Sequence, residues 1–456
     1  MITVFGKSVP TGILGYGFPE SSLEHGLELR PDVIGVDGGS TDQGPGDLGR
    51  GAPHVSREAV LRDVELLLTG ARRLGVPLLI GTAGGAGARP HVDETRDIVL
   101  EAARSLGLHF TLATICADVE KEYLHERIDQ RATAPLDGTD ELTHEQVDAC
   151  NQIVGVMGSE PYIAALEAGA DVVIAGRSSD TAIFAAVPIM RGCGVGPAWH
   201  AGKILECGAS SAVPMAPADC MLAWVEDDAF EVQPAAPQLG CTPLNVAAHT
   251  MYENPSPYLL REPSGTLDTR ESTFSAIGPR RVRVEHSRFL PAERYSIKLE
   301  ATRHVGFRTI ALGVSHDPLL IANADAYAAG IERNVALRVQ QAFGASAPEY
   351  TLSIRQIGHN SAMGPLEPAG VASGSELGLL LSVVAPTQEL ADAILAIART
   401  HGLHGELAGR GGLLSNLAFP IAPTDIPTGP VHIFAVNHVV FPRTPEELFP
   451  IVLEQV

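Results

Sequence analysis

The first half of the chain alternates two kinds of segment. "DVIGVD" (32–37), "VPLLIGT" (76–82), "HFTLATICA" (109–117) and "DVVIAG" (171–176) are short, near-continuous apolar runs. Such runs are expected of strands covered on both faces of a parallel sheet. Between them lie "SREAVLRDVELLLTGARRLG" (56–75), "VDETRDIVLEAARSLG" (92–107) and "SEPYIAALEAGA" (159–170), with apolar residues at helical spacing. Each begins near Ser or Asp and ends at or near Gly, the usual start and stop signals. Strand–helix–strand repetition predicts an α/β fold, with a layered parallel-sheet domain over 1–225.

From about 226 the pattern changes. "AFEVQP", "RRVRVEHSRFL", "RYSIKLEA" and "FRTIALGV" show period-two stretches without a long helix between them. Helical spacing returns over 318–343 and 387–402, with strand-like runs at 350–358, 377–386 and 431–440. An α+β domain with a mixed sheet is expected over 226–456.

In a parallel α/β sheet, ligands bind beyond the carboxyl ends of the strands. The run 32–37, taken as the first strand, ends in Asp37-Gly38-Gly39-Ser40-Thr41-Asp42. Its carboxylates can act as acid, base or metal ligand, and its hydroxyls can bind substrate. The second run leads into "GTAGGAGARPHVDE" (81–94), where Thr82, Gly84 and Gly85 could cradle an oxyanion through backbone N–H groups. The third ends at Asp118. The fourth ends in "GRSSD", where Arg177 suits a clamp on a carboxylate or phosphate, flanked by Ser178 and Asp180. One such loop is as well explained by helix capping; four at one sheet edge point to a joint site. Asp37, Asp42, His91 and Asp180 are the candidates for a divalent metal, although no His-x-x-x-His spacing supports one.

Two further segments carry ionisable groups. "WHAGKILECGAS" (199–210) places Lys203 and Glu206 on one helical face, as an acid/base pair or as a plain ion pair. "AAHTMYENP" (247–255) and "GHNSAMGPLEP" (358–368) offer His249 and Asn360 as substrate contacts from polar loops.

Composition narrows the partners. A net charge of −22 disfavours nucleic acid and anionic membranes. The six cysteines form no Cys-x-x-Cys pair, which fits buried thiols in a reducing compartment. The N-terminus is a poor secretion signal, and no run of about 18 apolar residues is present. A cytoplasmic protein that forms a homo-oligomer is expected. Neither a flavin nor a nicotinamide fingerprint is present. "VIGVDGGSTDQ" looks like the phosphate loop of actin-like ATPases, but a long helix follows it where further hairpin strands should stand, and "GTAGGAG" lacks the Lys-Ser/Thr ending of a P-loop.

Several of these segments together resemble one family. "GYGFPESS", "PDVIGVDGGSTDQGPGDLG", "LLIGTAGGAG", "PYIAALEAGADVVIAGRSSDTAIFAAVP", "AGKILECGA" and "NLAFPIAPTDIPTGPVHIFAVNHVV" are similar to the acyclic terpene utilization (AtuA-like) family. The resemblance implies a role in catabolism, where hydration, elimination and isomerisation are common steps. The family name records a pathway rather than a reaction; the leading expectation is a cofactor-independent or metal-assisted lyase or hydratase, or an isomerase, acting on a small carboxylic acid or its acyl thioester. Some members of that family have a small companion protein, fused to the C-terminus in some of them, so the resemblance also raises the expectation of a separate companion subunit. The competing reading is a non-catalytic subunit that binds an acid ligand.

Overall fold

The structure is a computed structural model that describes residues 1–8, 13–53, 55–215, 219–254, 256–368, 374–412 and 414–456. The protein is α/β. It divides into two compact units, Met1–Arg303 with Phe434–Val456, and His304–Ile433.

The first unit is built on a ten-stranded sheet. Its centre is parallel, in the order Ile2–Ser8, Val33–Asp37, Leu78–Gly81, Val172–Ala175 and Thr111–Ile115. Alternate residues of these strands bury on opposite faces. Phe5, Ile34, Leu78, Ile80 and Ile174 enter one apolar core. Val4, Val33, Leu79, Val173 and Ala175 enter the other. Cover on both faces explains the continuous apolar runs. The helices Arg57–Leu74 and Arg89–Leu106 fall where the apolar spacing places them, and both end at a left-handed glycine.

Three features depart from expectation. The strand Ile2–Ser8 precedes the run 32–37 and sits beside it in the sheet, so residues before 32 are part of the fold. The change of character at 226 falls inside the first unit. There, Asp219–Val225 pairs antiparallel with Ile2–Ser8, and the strands Ala229–Pro234, Arg281–Glu285 and Thr273–Ile277 continue the same sheet. Asp219–Val225 with Ala229–Pro234, and Thr273–Ile277 with Arg281–Glu285, are hairpins, so these antiparallel strands extend the parallel sheet without crossover helices between hairpin partners. Finally, "RYSIKLEA" and "FRTIALGV" belong to a single strand, Ile297–Ser315. Its residues 298–302 pair with Gln152–Val156 in the first unit.

In the second unit, residues 307–315 of that strand pair with Leu377–Ala385, which pairs in turn with Thr351–Ile357. The helices Ala324–Phe343 and Gln388–His404 bury Ile331, Val335, Ile394 and Leu395 against this sheet.

The parallel strands end close together in the first unit. Gly38 N donates to Gly81 O at 2.6 Å, Gly85 N to Gly38 O at 3.1 Å, and Arg177 N to Gly87 O at 3.1 Å. Loop backbones can approach this closely only where side chains are missing. A Cβ on Gly39 would lie 2.1 Å from the Gly85 Cα and 2.4 Å from its carbonyl oxygen. Backbone atoms cannot swing aside, so Gly39→Ala should lower stability by about 1–3 kcal/mol. A urea midpoint equal to that of the parent protein would contradict this account of the loop packing.

Candidate acid–base site

The first unit gathers a cluster of carboxylates beyond these strand ends. Asp37 is the last residue of its strand. Asp180 opens the helix Asp180–Met190, directly after the "GRSS" loop. Lys203 and Glu206 lie one turn apart on Val195–Glu206, a helix whose residues from Gly196 onward are all buried. The two helices pack closely because Gly202 faces the Thr181 carbonyl, which a Cβ there would meet at 2.6 Å. Close packing brings Lys203 and Glu206 to the charged end of the first helix. Charges in such a position need partners, and Lys203 and Glu206 are paired with each other.

Arg177 is already engaged. Its Nε and Nη2 donate to the two carboxylate oxygens of Glu300 at 2.9 and 3.2 Å. Its remaining Nη1 stands 3.5 Å from Asp180 Oδ1 and donates to the Ser178 carbonyl at 3.3 Å. Thr41 Oγ1 and Lys298 Nζ also donate to Glu300, at 3.2 and 3.3 Å. The fork expected to clamp a substrate carboxylate therefore holds a buried carboxylate of the protein itself.

The electrostatics follow from this layout. Burial opposes the charge on Glu300, but Arg177 outweighs it and holds that carboxyl down at about 2. The other acids have only single-pronged or more distant cations against them. Burial raises Asp37 well above the usual range, and the neighbouring Asp180 adds to it. Asp180 is only partly withdrawn from water; that partial burial, with the Asp42 and Glu300 charges, pushes it up to about 6 although Arg177 opposes it. Burial likewise pushes Glu206 up to about 7 against the pull of Lys203. Glu262, which accepts a hydrogen bond from Thr181 Oγ1 at 2.7 Å, is pushed up to about 8, again chiefly by burial. Solvent still reaches the cluster, since 34% of the Asp180 side chain is exposed. Asp180, Glu206 and Glu262 thus titrate near neutrality around one lysine, with Asp37 also raised, an arrangement suited to proton transfer.

The remaining candidates take varied places. Asp42 is exposed and contributes to raising Asp180. Ser40 Oγ accepts from Asp42 N at 3.1 Å, as in an ordinary turn. Thr82, Ser178 and Tyr162 form a buried hydroxyl network: Tyr162 OH lies 2.9 Å from Ser178 Oγ, and Thr82 Oγ1 accepts from Ser178 N at 3.3 Å. The Gly85 N–H is bonded to Gly38 O, so it is not free to stabilise an oxyanion. A Cβ on Gly84 would meet His91 at 2.7 Å, so this turn packs on the start of a helix. His91 is buried there, which pushes its imidazole down. Among the described residues, no group of three or more His, Cys, Asp or Glu could hold a metal ion. Asp37, Asp42, His91 and Asp180 thus do not form a ligand set. Asn360 belongs to the second unit, where its Nδ2 donates to Asp325 Oδ1 at 3.3 Å. His249 lies in the first unit, stacked on Tyr252 with ring centroids 5.5 Å apart, and Lys203 Nζ stands 5.7 Å from the Tyr252 centroid.

Comparison with known proteins finds one family. Residues 58–213 match the model of the acyclic terpene utilisation family protein AtuA. Over those residues the chain is similar to that family. No curated protein and no solved structure gave a significant match. The AtuA segment holds Thr82, Arg177, Ser178, Asp180, Lys203 and Glu206, while Asp37, His249, Glu262 and Glu300 lie outside it. Sequence reasoning missed Glu262 and Glu300. Both are single acids in strand-like segments, with no motif to mark them. Tyr252 stood inside a quoted loop, where its spacing of three from His249 was the available signal. Among the described residues, no helix is long and apolar enough to cross a membrane.

Glu262 supplies a pH test. Its carboxyl titrates at about 8 when folded, against an ordinary value of 4.5. Between those values the folded protein binds more protons than the unfolded chain, so this group's contribution to stability falls as pH rises. Glu262→Gln can keep the Thr181 bond and removes the titration. The melting temperature of the variant relative to the parent should therefore rise steadily between pH 4.5 and 8. A constant difference would contradict the assignment.

Proposed function

We propose that this protein is a catabolic enzyme that performs lyase or hydratase chemistry on a small acyl substrate. The observation that carries this reading is the pair of acids beside Lys203, Asp180 at about 6 and Glu206 at about 7. Near neutral pH each is present in both forms, so one can take a proton while its neighbour gives one. In hydration of a conjugated double bond, a carboxylate removes a proton from water and the water oxygen bonds to the β-carbon. A protonated neighbour then delivers its proton to the α-carbon. Asp180 is the acid in contact with solvent, and Glu206 is the one whose proton Lys203 controls. The matched family is described by acyclic terpene utilisation, which agrees with a degradative role.

The charge balance favours an acyl thioester over a free acid. Asp37, Asp42, Asp180, Glu206, Glu253, Glu262 and Glu300 all act on the cluster, and its cations Arg177 and Lys203 are both paired with carboxylates. A substrate carboxylate would enter a repulsive field. The same field counts against a polyphosphate and hence against a nucleotide-binding role.

The test is hydration of the crotonyl thioester of N-acetylcysteamine, followed by loss of conjugated absorbance, with free crotonate alongside. The thioester should turn over and crotonate should not. Glu206→Gln should lower kcat by about 100-fold or more with the fold intact. Full activity in that variant, or no turnover of the thioester by the parent protein, would defeat the enzyme reading in favour of a binding subunit.

A further inference from the structure

His249 is 4% exposed, and its Nε2 is buried with no hydrogen-bond partner among the described residues. A buried polar atom left unpaired is a standing cost and calls for an explanation. Its surroundings supply one. The ring lies on Tyr252, whose other contacts include the Lys203 ammonium, so it borders the acid–base cluster. Burial and the Lys203 charge push its imidazole down to about 4, which keeps the ring neutral. A neutral imidazole beside carboxylates can donate to a carbonyl or accept from a hydroxyl.

The helix that carries it, Pro243–Thr250, is locked at the same end. His200 Nε2 lies 2.8 Å from Thr250 Oγ1, and Thr250 Oγ1 gives its own proton to the Val246 carbonyl at 3.0 Å. His200 Nε2 must therefore carry the hydrogen and Thr250 accept it. His200 Nδ1, 2.7 Å from Ser287 Oγ, then accepts from that hydroxyl. One neutral ring, wedged edge-on against Phe230 and Phe274, satisfies both its nitrogens and fixes the turn next to His249. The contrast is informative: adjacent histidines in space, one fully bonded and one with a nitrogen left open.

We infer that His249 Nε2 is the specificity-determining contact of this site, reserved for an uncharged ligand oxygen, hydroxyl or carbonyl, and that His200 is the residue that positions it. The inference rests on the acid–base cluster being the ligand site. It adds the group that recognises the ligand.

Two measurements test it. The first needs no ligand. His249→Phe removes an orphaned nitrogen and should melt at or above the parent temperature. His200→Phe keeps a ring against Phe230 and Phe274 but breaks two hydrogen bonds, and should melt lower. The second uses the 3-hydroxybutyryl thioester of N-acetylcysteamine with Glu206→Gln protein, observed by 15N-histidine NMR and calorimetry. The His249 Nε2 resonance should move on binding, and adding His249→Phe should weaken binding by about tenfold or more. His200→Phe should abolish the ligand-induced shift at His249, and His200→Gln should restore part of it. A melting loss in His249→Phe as large as in His200→Phe would overturn the inference. So would equal binding without His249, or no binding of the thioester at about 10 mM. Absence of turnover with the His249 shift intact would defeat the hydratase reading alone. Turnover with unchanged binding in His249→Phe would defeat this inference alone.

Discussion

The two-pronged ion pair between Arg177 and Glu300 is the constraint on which the first unit's chemistry depends. It ties the loop after one parallel strand to a strand 123 residues further along the chain. Both side chains are largely withdrawn from water, so removing either partner would leave a buried charge, at a cost of about 3–5 kcal/mol. The pair also sets the electrostatics of its neighbours. It neutralises Glu300 and leaves a single guanidinium nitrogen facing Asp180. Without that nitrogen Asp180 would be pushed up further, since burial, Asp42 and Glu300 all act in that direction.

The remaining acids then share one lysine. Lys203 is held charged by Glu206, and burial of the pair is tolerated because each satisfies the other. Asp37, Asp180, Glu206 and Glu262 have more negative charge among them than Lys203 can offset. Protonation relieves the excess. Burial first, and mutual repulsion second, raise these carboxyls, Asp180, Glu206 and Glu262 to about 6, 7 and 8. Cys207, beside Glu206, is affected in the same sense, and its thiol is pushed up. It is therefore held protonated and is a poor nucleophile.

The sheet edge that bears the acid cluster was legible in the sequence because strands covered on both faces leave unbroken apolar runs. Asp37, "GRSSD" and the Lys203–Glu206 helix could be read from those runs and their endings. Ile2–Ser8 could not, since "ITVFGKS" carries Gly6 and Lys7 and looks like a preamble. The pairing of Arg177 was also hidden. Its loop suggested an open clamp, and only the fold brings Glu300 within reach. The glycines of "GTAGGAG" were read as an anion cradle, yet they serve close packing of loop backbones. Local composition reports what a loop permits, and long-range pairing decides what it does.

Proton transfer by the cluster requires that carboxylic acids of the first unit persist near neutral pH. The most direct measurement is a 13C NMR titration of the side-chain carboxyls, with Glu206→Gln and Asp180→Asn to assign the signals. The account predicts resonances that titrate near 6 for Asp180 and near 7 for Glu206, each missing from its own variant. Titration of both at the ordinary carboxylate values, about 4, would contradict it.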